Sequence, residues 1–256
     1  AQMKAASFDI DASWTRNDRA GGGRYDHAVS LAFEGLDGDR IATLLNFASH
    51  PEALWTDNRL ISAEHPGYFR AKMRELHPGT PLYFSGPLGG MLTPNVAEDG
   101  DTETRQAYVR ELGQHLAEAT EAALNQAPWE TESTLLHHAA DLTLKNDNRR
   151  FTLLSRLKLI GVKLRRGHVE TEVHHLKIGQ AQALTAPGEM LPELGHQVRA
   201  LMECPHGLLL GLAIDELGYI LPPEQYDDRE YRYERSMSLG RGTAEALIAA
   251  QRALLS

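Results

Sequence analysis

The run LLNFASHPEAL, residues 44–54, is apolar up to His50 and breaks at Pro51, so an imidazole stands at the end of a strand-like segment. Two further runs end in the same manner: ALTAPG leads to Glu189, and LLLGLAIDELG leads to Tyr219. One imidazole, one carboxylate and one phenolate make a donor set that Zn²⁺ accepts in tetrahedral coordination. Spacing alone does not select that reading. A histidine closing a strand serves equally as a structural hydrogen-bonder, and Glu189 equally suits a helix start, where the dipole favours an anion.

The elements that must carry these side chains follow from periodicity. HAVSLAFEG alternates, turns at GLDGDR and feeds the nearly continuous apolar run IATLLNFAS, which reads as a hairpin leading into a buried strand. His50 then falls at the C-terminal end of a strand, where α/β sheets place functional groups. SAEHPGYFRAKMREL reads as a helix with Ser62 as N-cap and Pro66 in its first turn. TPLYFSG is a short strand that discharges into the glycine-rich loop SGPLGGMLTPN. A long helix is expected over 102–126, with Val109, Leu112, Leu116 and Ala123 on its apolar stripe. Beyond Pro128 the texture predicts strands: STLLHHAADLTL, FTLLSRLKLIGVKL and HVETEVHHLKIGQAQALTAPGE.

A helix is expected over about 190–202, then the buried strand and loop HGLLLGLAIDELGYILP, then a closing helix in GRGTAEALIAAQRALLS with Thr243 as its cap. Residues 1–25 are mixed and end in the glycine loop NDRAGGGRYD. His137 and His138 alternate faces of a strand, as do His174 and His175, so at most one of each pair points inward. EQYDDREYRYER reads as a solvated loop over the site, from which Tyr226, Tyr231 and Tyr233 are candidates to line a substrate mouth. No internal repeat is present. Interleaved strands and helices point to an α/β fold, a mixed β-sheet layered with α-helices, in a single domain.

Composition narrows the function. With 256 residues, 42% apolar and 24% charged, the chain suits one well-packed unit. A net charge of −9 argues against a nucleic-acid role, which needs clustered Lys and Arg. The basic run RLKLIGVKLRRGH, from Arg156, alternates apolar and basic residues and reads as a strand with a wet face. Nothing approaches a membrane span of ~20 apolar residues. Cys204, the single cysteine, excludes an internal disulfide and reads as a small buried hydrophobe.

Six segments, taken in order, resemble the neutral/alkaline ceramidase family: IATLLNFASHPEAL, ISAEHPGYFR, SGPLGGMLTPN, IGQAQALTAPGEMLPELG, LLLGLAIDELGYILPPEQYD and YERSMSLGRGTAEALI. The likeness runs from about Trp14 to the last helix. It implies a zinc-dependent amidase that cleaves an N-acyl bond, on a mixed sheet layered with helices. The family holds its metal with two histidines, a glutamate and a tyrosine, which the resemblance maps onto His50, Glu189 and Tyr219. A second family tyrosine falls where this chain has Glu216, itself a competent zinc ligand, so Glu216 and Tyr219 both stand as candidates. The family's other histidine lies in an HTHSGP stretch that this sequence lacks. The chain opens AQMKAASFDIDASW without a Met, so the expectation is a domain incomplete at its N-terminus, residues 1–256 matching the C-terminal two thirds of the family domain. The missing histidine is then expected on a removed segment or on a partner chain, and in the latter case this chain is a catalytically silent subunit. Secreted relatives suggest export, and the sequence itself leaves the compartment open.

A second departure concerns the nucleophile. Aligning the loop on its final Pro and Asn puts Pro87 where the family has a serine, with Ser85 two residues away and also readable as a turn residue before Gly86. Hydrolysis by metal-activated water is then the economical mechanism, with backbone N–H groups of Gly86 to Gly90 holding the oxyanion. His65 and Glu64 are candidates for the general acid that the leaving amine needs, and His65 reads equally as a surface residue opening its helix. The expected substrate is a small-molecule or lipid amide. The absent serine and the 7% aromatic content argue against a long lipid groove.

Overall fold

A computed structural model describes residues 1–56, 58–97, 99–131 and 133–256. Two β-sheets face each other and a pair of helices covers the outer face of each, the arrangement a chain with amphipathic helices and doubly buried strands requires.

The first sheet holds β1 (Gln2–Asp9), β3 (His27–Glu34), β4 (Arg40–Phe47) and β5 (Thr80–Ser85) in that spatial order, with the short strand β2 (Thr15–Asn17), outside the sheet, between β1 and β3 in the chain. β1, β3 and β4 run antiparallel, and β5 pairs parallel with β4 through the crossover helix α1 (Glu64–Leu76). Period-two alternation sends Leu45 and Phe47 outward onto Phe69 and Met73 of α1 and onto Leu112 and Leu116 of α2 (Thr102–Gln126). The intervening Leu44 joins Val29 and Leu31 against the second sheet. Both faces of β4 are thus covered, which is why its sequence reads as an unbroken apolar run. Asp101 caps α2 by accepting from the Thr104 N–H at 2.8 Å.

The second sheet is ordered β12 (His206–Leu210), β10 (Ala181–Thr185), β9 (His168–Ile178), β7 (Leu135–Lys145), with β8 (Leu164–Arg165) beside β9. β10 and β12 are parallel, joined through α4 (Pro192–Leu201), and α7 (Thr243–Leu255) lies over β7 and β9. Asn46 of β4 bolts the sheets together: its amide N–H groups donate to Phe84 O and Leu209 O, and its Oδ1 accepts from the Leu209 N–H at 3.1 Å.

Several expectations are corrected. Residues 2–9 form an edge strand, not a mixed segment. FTLLSRLKLIGVKL is not a strand: Asn148 accepts from the Arg150 and Phe151 N–H groups and starts helix α3 (Arg149–Arg156), after which the basic run is irregular and largely exposed apart from the two-residue β8. Capping overrode an ambiguous apolar spacing there. HVETEVHHLKIGQAQALT is a hairpin, β9 and β10, folded at Gly179 and Gln180. EQYDDREYRYER is not a plain loop, since it carries α5 (Pro223–Tyr226) and α6 (Arg232–Ser236). Thr243 is the first residue of α7, behind the N-cap Gly242, and Ser62 lies one place before the α1 N-cap Ala63 while still accepting from the Glu64 N–H. Cys204 is only half-buried. His175 is buried against Gln182, whereas His137 is exposed and stacks on His174.

Candidate active site

The C-terminal ends of β4, β5, β10 and β12 meet at one rim, and the three donor-bearing segments leave from it. The short strand β6 (Leu92–Pro94), paired with β2, accepts the His50 backbone N–H at Leu92 O, 2.9 Å. Glu189 opens the two-residue strand β11 (Glu189–Met190), which pairs in parallel with β13 (Tyr219–Ile220) so that Glu189 lies in register with Tyr219. The approach is tight enough to demand glycine. A Cβ on Gly188 would come within 2.3 Å of Gly218 O, and Gly218 itself has φ +83°.

The result is a convergence. His50 Nε2 lies 3.4 Å from Glu189 Oε2, and a side-chain hydrogen bond links Glu189 with the Tyr219 hydroxyl. Among the described residues neither His50 Nε2 nor Glu189 Oε2 has a hydrogen-bond partner, although both atoms are buried. Burial lowers the His50 pKa to about 4 against the pull of a backbone hydrogen bond at Leu88, so the ring is neutral at pH 7. The backbone at Leu88 engages the ring, and Nε2 is the ring nitrogen that lies near the carboxylate. Burial likewise pushes Glu189 up to about 7, with the neighbouring charge of Glu216 next and those of Glu52 and Glu234 behind it, while the Tyr219 bond opposes. Tyr219 is held well above the usual phenol range, by burial first and the Glu189 charge second.

Two buried, unpartnered donor atoms at this separation, in a field of carboxylates, would suit a shared cation. Imidazole, carboxylate and phenol are all zinc donors, and the hydrogen bond at Leu88 orients the imidazole as a metal ligand needs. Among the described residues no three His, Cys, Asp or Glu side chains gather as a ligand set, and an ion held by His50 and Glu189 would need the Tyr219 phenol as a further donor. Glu216 stands beside the cluster. Its Oε1 accepts from the Gly218 N–H at 3.0 Å, so its carboxylate supports the turn that carries Tyr219.

The other candidates fare differently. Ser85 ends β5, half-buried, and its carbonyl accepts from Gly211 N–H at 3.0 Å. The Gly86 N–H donates to Phe47 O at 3.0 Å and the Gly89 N–H to Met190 O at 2.9 Å, so neither is available to an oxyanion as expected. They bind the glycine loop to the two segments bearing His50 and Glu189. His65 is neither a surface residue nor open to a substrate: it is 0% exposed and contacts Tyr83 Oη through Nε2 at 3.1 Å. Glu64 accepts from the Ala53 and Leu54 N–H groups at 2.7 and 3.1 Å, fixing the loop after His50. Of the three tyrosines, Tyr231 is buried and Tyr226 half-buried, while Tyr233 is exposed and meets the Tyr219 ring edge-on at 5.8 Å.

Two carboxylates escaped the sequence reading. Glu52 sits two residues beyond His50 with a buried Oε1 that has no partner among the described residues, its pKa raised by burial first and by the charges of Asp18 and Glu64, with the nearby Thr93 hydroxyl opposing. Its place inside FASHPE was the available signal. Glu234, fully buried, pairs with Arg19 Nε at 2.7 Å, a contact across 215 positions that no local pattern announces.

No protein-family model and no curated protein matches this sequence. Solved structures do. The chain is similar to neutral ceramidase from Pseudomonas aeruginosa, with TM-score 0.77 and 18% identity over 99% of this chain and 51% of that one. A ceramidase complexed with C2 matches with TM-score 0.79 and 16% identity, over 99% of this chain and 53% of the other. The chain therefore has the neutral ceramidase fold and spans about half the length of those structures.

Proposed function

We propose that this chain carries the metal-binding rim of a zinc-dependent hydrolase of N-acyl amide bonds. The observation that carries the reading is the pair of orphaned, buried atoms, His50 Nε2 and Glu189 Oε2, facing each other beside Tyr219. The resemblance of the fold to neutral ceramidases supports the amide as the bond attacked.

His50, Glu189 and Tyr219 would hold the ion, which when bound would polarise the scissile carbonyl and make water a stronger acid. The protein's own residues do the rest. Leu88 holds the imidazole in one tautomer and orientation through the backbone hydrogen bond, and the β11–β13 pairing holds carboxylate and phenol in register. Glu52, with its buried free oxygen, is the residue we assign to take the proton from the attacking water and return it to the leaving amine. His65 has no such part, because it is sealed from the rim.

The test is metal binding by calorimetry alongside turnover of N-acyl amides. Wild-type protein should bind about one zinc per chain and hydrolyse an N-acyl amide. His50→Ala should lose both while unfolding within a few degrees of wild type. No zinc binding by the wild-type chain, or a His50→Ala variant that fails to fold, would refute the assignment.

A further inference from the structure

Beside the candidate site, and sharing Tyr233 with it, lies a cavity of about 1000 Å³ whose lining includes Arg19, Arg150, Arg229, Arg232 and Arg235. In a chain with 26 basic and 35 acidic residues, five guanidiniums around one hollow is a strong local reversal of sign. Glu230 is the carboxylate in the lining, and Glu234 is consumed behind it by Arg19.

The arginines come from separate parts of the chain. Arg19 follows β2, Arg150 lies in the first turn of α3, and the others recur every third residue through the start of α6. Their frame is built: Asn148 Nδ2 donates to Ser236 O and Ser238 O at 2.9 and 2.8 Å, tying α3 to α6. Arg235 is anchored on Tyr226 O at 2.8 Å, whereas the Arg150, Arg229 and Arg232 guanidiniums have no ion pair or hydrogen bond among the described residues. This arrangement is unfavourable in an empty protein. Like charges three residues apart repel, and a cation at the start of α3 opposes the helix dipole. An oxyanion seated among the guanidinium forks would reverse both effects and bind bidentately. The hollow is concave, which suits a headgroup more than a flat bilayer surface.

We infer that this arginine-lined cavity binds the oxyanion of a substrate's headgroup, so that the preferred N-acyl amides carry a phosphate or carboxylate on the amine side. The inference rests on the amidase reading for the word substrate, while the cavity's affinity for an oxyanion stands apart from it. Tyr233 supplies the link: it lines the cavity and its ring meets the Tyr219 ring edge-on at 5.8 Å, which sets the cavity next to the rim.

Calorimetric binding of N-dodecanoyl phosphoethanolamine, N-dodecanoyl glycine and neutral N-dodecanoyl ethanolamine tests this, in wild type and in His50→Ala. The two anionic probes should bind at least tenfold more tightly than the neutral one, in both proteins, and their relative affinities distinguish phosphate from carboxylate. Arg229→Gln combined with Arg232→Gln, both exposed, should remove that preference while leaving the melting temperature and zinc binding unchanged. Equal affinity for the neutral probe, or an unchanged preference in the double variant, would overturn the inference. So would binding to anionic phosphatidylglycerol vesicles with no discrimination among the soluble probes. Hydrolysis that fails while the anionic preference persists counts against the amidase reading alone.

Discussion

Replacing His65 by Leu separates a sealed imidazole from a catalytic one. The ring is 0% exposed, its Nε2 meets the Tyr83 hydroxyl at 3.1 Å, and its Nδ1 has no partner. Tyr83 in turn donates to Phe47 O at 3.3 Å, so its oxygen is left to accept the imidazole N–H and the neutral tautomer is the one that fits. A second proton would sit on a nitrogen with no acceptor. Burial accordingly lowers the pKa from 6.5 to about 3. An unfolded chain takes up the proton near 6.5, while the folded chain holds out to about 3. The contribution is therefore fully present above the unfolded value and is lost as pH falls through that window. Each pH step inside it removes about 1.4 kcal/mol, so roughly 2–3 kcal/mol is gone at pH 4.5 and about 4–5 near pH 3. Urea unfolding of wild type and His65→Leu at pH 7.5 and 4.5 reads this directly, because other groups titrate alike in both. Wild type should lose roughly 2–3 kcal/mol more than the variant between the two pH values, and zinc binding should survive the substitution. Parallel losses would mean that the imidazole reaches water and titrates normally, which would reopen its role as a proton donor.

Glu189→Gln should stabilise the metal-free protein at pH 8 by up to about 2–3 kcal/mol, because folding holds that carboxyl's pKa near 7 instead of 4.5 and the ionised form is lost stability as pH rises through this window. The same variant should no longer gain melting temperature on adding zinc; a metal-free loss of stability would contradict the account. Asn46→Ala, which strands the buried Leu209 N–H and two carbonyls, should cost about 3 kcal/mol in denaturant unfolding, and a cost within experimental error of zero would show that the sheets do not depend on it. Asn148→Ala removes the α3 cap and two bonds to the α6 region, so a loss of about 1–2 kcal/mol together with weaker binding of the phosphoethanolamine probe is expected. An unchanged probe affinity in that variant would show that the cavity is framed without it.

What could be read from the chain alone was whatever local chemistry dictates. Period two along HAVSLAFE, the 3.6 spacing of Val109, Leu112 and Leu116, and the break at Pro51 suffice to place strands, a long helix and His50 at a strand end. The layered α/β class follows from their interleaving. Locality also explains the errors. Leu153 and Leu154 suit a strand or a helix, and the decision came from Asn148 accepting two amide N–H groups. His65 read equally as a surface residue because helix starts usually are exposed, whereas the packing of α1 buried it and tied the neighbouring Glu64 to the loop after His50.

The site belongs to the tertiary level. His50 and Glu189 are 139 positions apart in a 256-residue chain, and their side chains meet at 3.4 Å because parallel pairing of two-residue strands sets Glu189 beside Tyr219 while β6 fixes the His50 backbone. The arginine cavity is likewise invisible in a sequence of net charge −9, where its members stand as scattered cations. Proximity across such separations is decided by how the layers dock, and the electrostatic consequences of burial appear only once the docking has removed water. Residue types and strand ends were local facts; their convergence was a property of the fold.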